Sequence, residues 1–89
     1  MRVSILLFDG FTALDAIGGY AVLTWLPDTE VVFVAETKSV IADDVRRGGF
    51  MAYQSLSEIV ETDILYVPGG PGVEQALKNK AIIDFVKRL

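Results

Sequence analysis

The segment Pro68-Gly69-Gly70-Pro71-Gly72 directly follows the apolar run Ile64-Leu65-Tyr66-Val67. A buried strand that ends in a glycine-rich turn and leads into a helix is where open α/β sheets hold their ligands. Glycine at such a turn lets the backbone approach a bound molecule and direct its N–H groups outward. The turn is neither a phosphate loop nor a dinucleotide fingerprint, because the Lys-Ser/Thr pair and the GxGxxG spacing are missing.

The order of elements agrees with such a sheet. Val3 to Phe8 is a short apolar run suited to a strand buried on both faces, and Asp9-Gly10 breaks it. Thr12 reads as the N-cap of a helix reaching about Trp25, with Leu14, Ile17, Ala21, Val22 and Trp25 on one face. Gly18-Gly19 inside it weakens the helix by about 1 kcal/mol per glycine relative to alanine, which points to close packing there. Pro27-Asp28 ends it. Glu30 to Ala35 reads as a second strand, Val40 to Ala42 as a third, and residues 39–53 as a hairpin turning at Arg47-Gly48-Gly49. Ser55 to Val60 reads as a short helical turn and Ile64 to Val67 as the last strand. Ala76, Leu77, Ala81, Ile82, Phe85, Val86 and Leu89 then form one helical stripe. This β-α-β-(hairpin)-β-α order predicts a parallel sheet with helices on its faces.

Eighty-nine residues make at most one small domain, yet 52% of them are hydrophobic and the mean hydropathy is +0.43. A small domain has a large surface fraction to cover with polar groups. The composition therefore reads like a piece of a larger core, or one partner in an assembly. The net charge of −4 argues against nucleic acid, which needs clustered Lys and Arg. No apolar run approaches the roughly 20 residues of a membrane span, and a cytoplasmic location is the expectation.

There is no cysteine and no histidine, so the usual nucleophile–base pairs are absent. Asp43-Asp44 and Glu58-Glu61 lack further ligands at metal spacing. Asp15 lies among apolar neighbours near the start of the first helix. One role open to it is support of the helix dipole; the other is a partly desolvated acid that shares a proton with a reacting group. Gly69 and Gly70 have two roles open as well: a turn that needs positive φ, or a backbone N–H donor to an oxyanion.

Ile5-Leu6-Leu7-Phe8-Asp9-Gly10-Phe11, Leu14-Asp15-Ala16-Ile17-Gly18 and Ile64 through Val73 together resemble the ThiJ/PfpI superfamily. The resemblance implies an α/β, partial flavodoxin-like (class I glutamine amidotransferase-like) three-layer sandwich with a mainly parallel sheet. Residues 1–89 would be the N-terminal half of one such domain. The branch it is most similar to contains isonitrile hydratases and the amidotransferase-like domains of AraC-type regulators. In that branch an acid at the position of Asp15 hydrogen-bonds a catalytic cysteine, and the backbone N–H at the position of Gly70 lines the oxyanion site. The resemblance thus implies catalytic roles for Asp15 and Gly70 and substrate contact at Gly69 and Gly10. The cysteine sits after the strand expected beyond Leu89. The family often has Gly-Pro where this chain has Gly18-Gly19, and commonly an acid where it has Ala21.

The expectations are then a small-molecule substrate for the parent protein, handled without metal or cofactor. They also include a complementing C-terminal chain or a homo-oligomer as partner, and neither nucleic acid nor membrane. The apolar stripe of the last helix and the open sheet edge are the surfaces expected to need covering.

Overall fold

A computed structural model describes residues 1–89. The elements run β1 (Arg2–Leu6), α1 (Ala13–Leu23), β2 (Glu30–Ala35), β3 (Val40–Ala42), β4 (Gly49–Met51), β5 (Gln54–Ser55), a 3₁₀ turn (Leu56–Glu58), β6 (Ile64–Tyr66), α2 (Val73–Leu77) and α3 (Lys80–Arg88). Four strands form an entirely parallel sheet in the order β5-β2-β1-β6, and β3 and β4 form a separate antiparallel ribbon. The architecture is mixed α/β with a mainly parallel sheet, as expected. No helix is long and apolar enough to cross a membrane.

Register separates the layers. Ile5 pairs with Phe33 on one side and Tyr66 on the other, so these three side chains share a face. That face carries α1: Tyr20 stacks on Phe33 at 5.2 Å between ring centroids, and the Tyr66 hydroxyl donates to the Asp15 carbonyl at 2.7 Å. Leu6, paired with Val34, points the other way, toward α2 and α3. The core runs through both layers, from Val3, Ile5, Leu6 and Leu7 to Val34, Ile59, Ile82 and Phe85.

Several elements differ from the sequence expectation. α1 stops at Leu23 rather than Trp25, and its side-chain cap is missing: the Thr12 hydroxyl donates to Asp44 Oδ2 at 3.0 Å instead. The stripe Leu14, Ile17, Ala21, Val22 and Trp25 does not enter the core. It faces solvent, and Ala16 is the one fully buried residue of α1. The final helical stripe is two helices. Asn79 starts α3 by accepting the N–H groups of Ala81 and Ile82 at 3.0 and 3.3 Å, while its amide donates to Glu36 at 2.9 Å. β5, a two-residue strand beside β2, was not foreseen; two residues are too few to show a period. Burial on both faces also holds only for β1, since β2 and β6 are largely half-buried.

Gly19 is the small residue that lets α1 lie on the sheet. A Cβ there would fall within 2.7 and 2.8 Å of two Tyr66 ring carbons and nearer still to the third. The ring cannot move aside without losing its bond to Asp15. Gly19→Ala is therefore expected to destabilise the fold by about 1–2 kcal/mol, overpacking outweighing the roughly 1 kcal/mol gain in helix propensity, seen as a lower urea midpoint.

The 3₁₀ turn carries an acid-sensitive contact. The Ser55 N–H donates to Glu58 Oε1 at 2.9 Å, and Lys38 Nζ lies 3.1 Å from Oε2, holding the Glu58 carboxyl below the ordinary glutamate range. A carboxylate depressed on folding contributes stability above its unfolded pKa and loses it as pH falls through the folded value. Glu58→Gln is expected to lower stability near neutrality and to change it little in acid, where the contribution is already lost, so that the acid limb of the stability–pH curve flattens, as measured by thermal unfolding across pH.

Candidate functional site

From β1 the chain adds β2 and then β5 on one side and returns to place β6 on the other, so the crevice between the C-terminal ends of β1 and β6 is the topological switch point of the sheet. Two loops meet there. Gly10, Phe11 and Thr12 follow β1, and Pro68 through Gly72 follow β6. Thr12 N–H donates to the Gly69 carbonyl at 2.9 Å, and Gly72 N–H donates to the Gly10 carbonyl at 3.1 Å.

This contact explains three glycines. Gly10 and Gly70 have φ of 83° and 138°, in the region other residues avoid. A Cβ on Gly70 would sit 2.6 Å from Thr12 N and 2.7 Å from Gly10 O; a Cβ on Gly72 would overlap the Asp9 carbonyl. The glycine-rich turn is thus shaped first by the backbone of the β1–α1 loop against which it nests.

Asp15 is brought to the same place. Its Oδ2 accepts the Gly69 N–H at 3.1 Å, and a Cβ on Gly69 would lie 2.9 Å from that oxygen. The carboxylate is exposed, so the desolvation considered from its apolar neighbours is absent. The Gly70 N–H is given to no acceptor in the chain. An acid bonded to Gly69 and the unengaged N–H of the next residue, Gly70, therefore stand together at the mouth of the switch point. Such a pair can hold a proton and meet developing negative charge. Asp15, Gly69, Gly70 and Gly10 all converge here; none of them lines an enclosed cavity.

A cavity of about 360 Å³ opens between the ends of β1 and β2, the ribbon, and α2–α3. Its rim holds an Arg46–Asp9 ion pair at 3.0 Å and the Asn79–Glu36 hydrogen bond. Arg46 has a φ of 59° and its guanidinium pairs with Asp9, which nothing in the residue pattern announces. Asp43 is also unforeseen as a structural residue. It is only 6% exposed, bridges to Phe11, and one of its carboxylate oxygens has no partner.

No protein-family model matches the chain, and no curated protein matches it either. Solved structures do. A ThiJ/PfpI family protein from Pseudomonas syringae superposes with a TM-score of 0.87 over 94% of this chain at 19% identity. A DJ-1 superfamily protein from Salmonella typhimurium, solved as a cysteine-to-alanine mutant, superposes with a TM-score of 0.80 over 98% of the chain at 32% identity. The fold is that of the ThiJ/PfpI and DJ-1 proteins. An AraC family transcriptional regulator from Pseudomonas putida is similar over 98% of the chain with a TM-score of 0.67 and 16% identity. The chain spans 35%, 48% and 51% of the lengths of these three structures.

The Asp15–Gly69 bond can be tested directly. Asp15→Ala removes the acceptor and is expected to speed amide hydrogen exchange at Gly69 about tenfold, the equivalent of one ordinary hydrogen bond. Asp15→Asn retains a side-chain carbonyl and is expected to keep most of the protection. Equal protection in all three chains would detach Asp15 from the turn.

Proposed function

We propose that this chain is the N-terminal half of a ThiJ/PfpI-type domain, and that the parent is an isonitrile hydratase-like enzyme of the cytoplasm. The observation that carries this reading is the Asp15 carboxylate on the Gly69 N–H, next to the unengaged Gly70 N–H, at the switch point of a parallel sheet. Adding water to a carbon–nitrogen multiple bond by thiolate attack needs three things: a nucleophile, an acid that moves a proton, and N–H donors facing the charge that develops. Asp15 and Gly70 are suited to the last two, with Gly69 and Gly10 holding the turn against the substrate. The nucleophile is a cysteine from elsewhere, since this chain has none.

Its source in this reading is a complementing C-terminal segment. Two features support that partner. β6 is a terminal strand of the sheet, with one backbone edge unpaired. Beside it lies a hollow of about 230 Å³ lined only by apolar side chains, among them Leu6, Phe8, Val67, Ile82 and Val86. A parallel strand added next to β6 would use the edge, and its following turn would reach the C-terminal end where Asp15 and Gly70 stand.

A second reading is favoured by the regulator of similar fold: a ligand-sensing domain that keeps the crevice and has lost catalysis. The sequence that continues the parent separates the two. A cysteine on a strand-to-helix turn supports the hydratase, and a helix-turn-helix supports the regulator.

The expected outcome is no turnover of isonitriles by the purified chain alone. Turnover is expected when the chain is combined with a cysteine-bearing C-terminal segment, and it is lost on Asp15→Asn. Turnover by this chain alone, free of any co-purified protein, would overturn the half-domain reading.

A further inference from the structure

The cavity of about 360 Å³ at the C-terminal ends of β1 and β2 belongs neither to the candidate site nor to the hollow beside β6. Asp15, Gly69 and Gly70 do not line it. Phe8, Ala76 and Ile82 line both the cavity and the hollow, so they form the wall between the two. A strand added beside β6 covers the hollow from the far side of that wall and leaves the cavity open.

The cavity has an apolar interior and a charged rim. Leu7, Phe8 and Ile82 are buried core residues, and Val40 and Ile41 close the space from the ribbon. On the rim, Asp9 and Arg46 form an ion pair at 3.0 Å, and their charges offset each other. Glu36 has no such partner, since no lysine or arginine lies within ion-pair distance of it. Its Oε1 accepts the Asn79 amide at 2.9 Å, and its Oε2 bonds to nothing in the chain. Asn79 is itself held in place, because its Oδ1 accepts the N–H groups of Ala81 and Ile82 at the start of α3. A neutral donor thus orients the Glu36 carboxylate without neutralising it.

We propose that this cavity binds a small aliphatic primary amine in its ammonium form, with Glu36 taking the cation and the apolar interior taking the tail. An ammonium brings three donors and one positive charge. Glu36 offers the free oxygen and the uncompensated charge that such a group needs. An anionic ligand would meet a rim with a net negative charge, and the one cation there is already engaged with Asp9. The net charge of −4 on the whole chain draws cations in the same sense. The volume lies within the range of small-molecule sites, roughly 300–1,000 Å³. An ion pair at an open rim adds little on its own, so burial of the tail is what makes the site selective for an amine that carries one. The argument uses no residue of the Asp15–Gly70 pair and is independent of the hydratase reading.

The test is a titration of the chain with n-pentylammonium, followed by amide chemical shifts in nuclear magnetic resonance. Saturable shifts are expected at Glu36, Thr37, Ala42 and Asn79, in the millimolar range. Methylammonium keeps the charge without the tail, and pentanoate keeps the tail with the opposite charge. Each is expected to bind at least about fivefold more weakly. Glu36→Gln keeps an oxygen for Asn79 and is expected to weaken n-pentylammonium about fivefold. Arg46→Gln releases the Asp9 carboxylate and is expected to tighten it. Glu61→Gln removes the same charge at the opposite end of the sheet and is expected to change nothing. The absence of saturable shifts overturns the proposal, as does a Glu36→Gln chain that binds as tightly as the parent. Equal weakening by Glu36→Gln and Glu61→Gln assigns the binding to overall charge and overturns it. Pentanoate binding as tightly as n-pentylammonium reduces the site to an apolar cleft and overturns it as well.

Discussion

The structure depends on how two loops are laced together at one end of the sheet. Thr12 donates to Gly69, Gly72 donates to Gly10, Gly69 donates to the Asp15 carboxylate, and the Tyr66 hydroxyl donates to the Asp15 carbonyl. Each bond alone contributes about 1 kcal/mol. Together they connect segments more than fifty residues apart in sequence and set α1 at a fixed height over β1 and β6. The glycines follow from this. With a side chain at 70 or 72 the two backbones could not meet, and with one at 19 the Tyr66 ring could not reach under the helix. The site is not an addition to a finished scaffold; the contacts that close the scaffold are the ones that bring Asp15 to the turn.

That coupling explains which parts of the molecule were legible in the residues. β2 and β3 occupy the spans their β-branched runs indicated, and the hairpin forms within residues 39–53, but it turns at Asp44 to Arg47, and Gly49, expected in the turn, is already paired with Ala42 in β4. The placement of Asp15 beside Gly69 followed from parallel order alone, because parallel strands put their C-terminal ends on one side. The break at Asn79 was hidden because a capping asparagine and a mid-helix asparagine look alike until the preceding residues leave helical geometry. Asn79 has extended backbone angles and a side chain already committed to two N–H groups.

The α1 stripe failed for a more instructive reason. Periodicity identifies an apolar face, but not what the face is turned toward. Leu14, Ile17, Ala21, Val22 and Trp25 do share a face, as their spacing says. The sheet takes the other side of the helix because Tyr66 needs Gly19 and Phe33 needs Tyr20. One tyrosine ring that fits only over glycine decides the rotation of the whole helix, and the longer apolar stripe is left outside.

Two surfaces then remain open, and they differ in kind. Only 17 of 89 residues are buried, which is little for a chain this apolar. At β6 the exposed groups are backbone N–H and C=O in a row, backed by an apolar hollow. Such an edge is satisfied by an extended segment in a defined register, because its hydrogen bonds are directional. At α1 the exposed groups are side chains around a bare glycine, and every backbone donor beyond the first turn is already spent within the helix. That face offers apolar contact without directional bonds. The edge is defined by strand geometry and the helix face by its shape. Because they lie at the rim and on one face of the sheet, covering either leaves the other accessible.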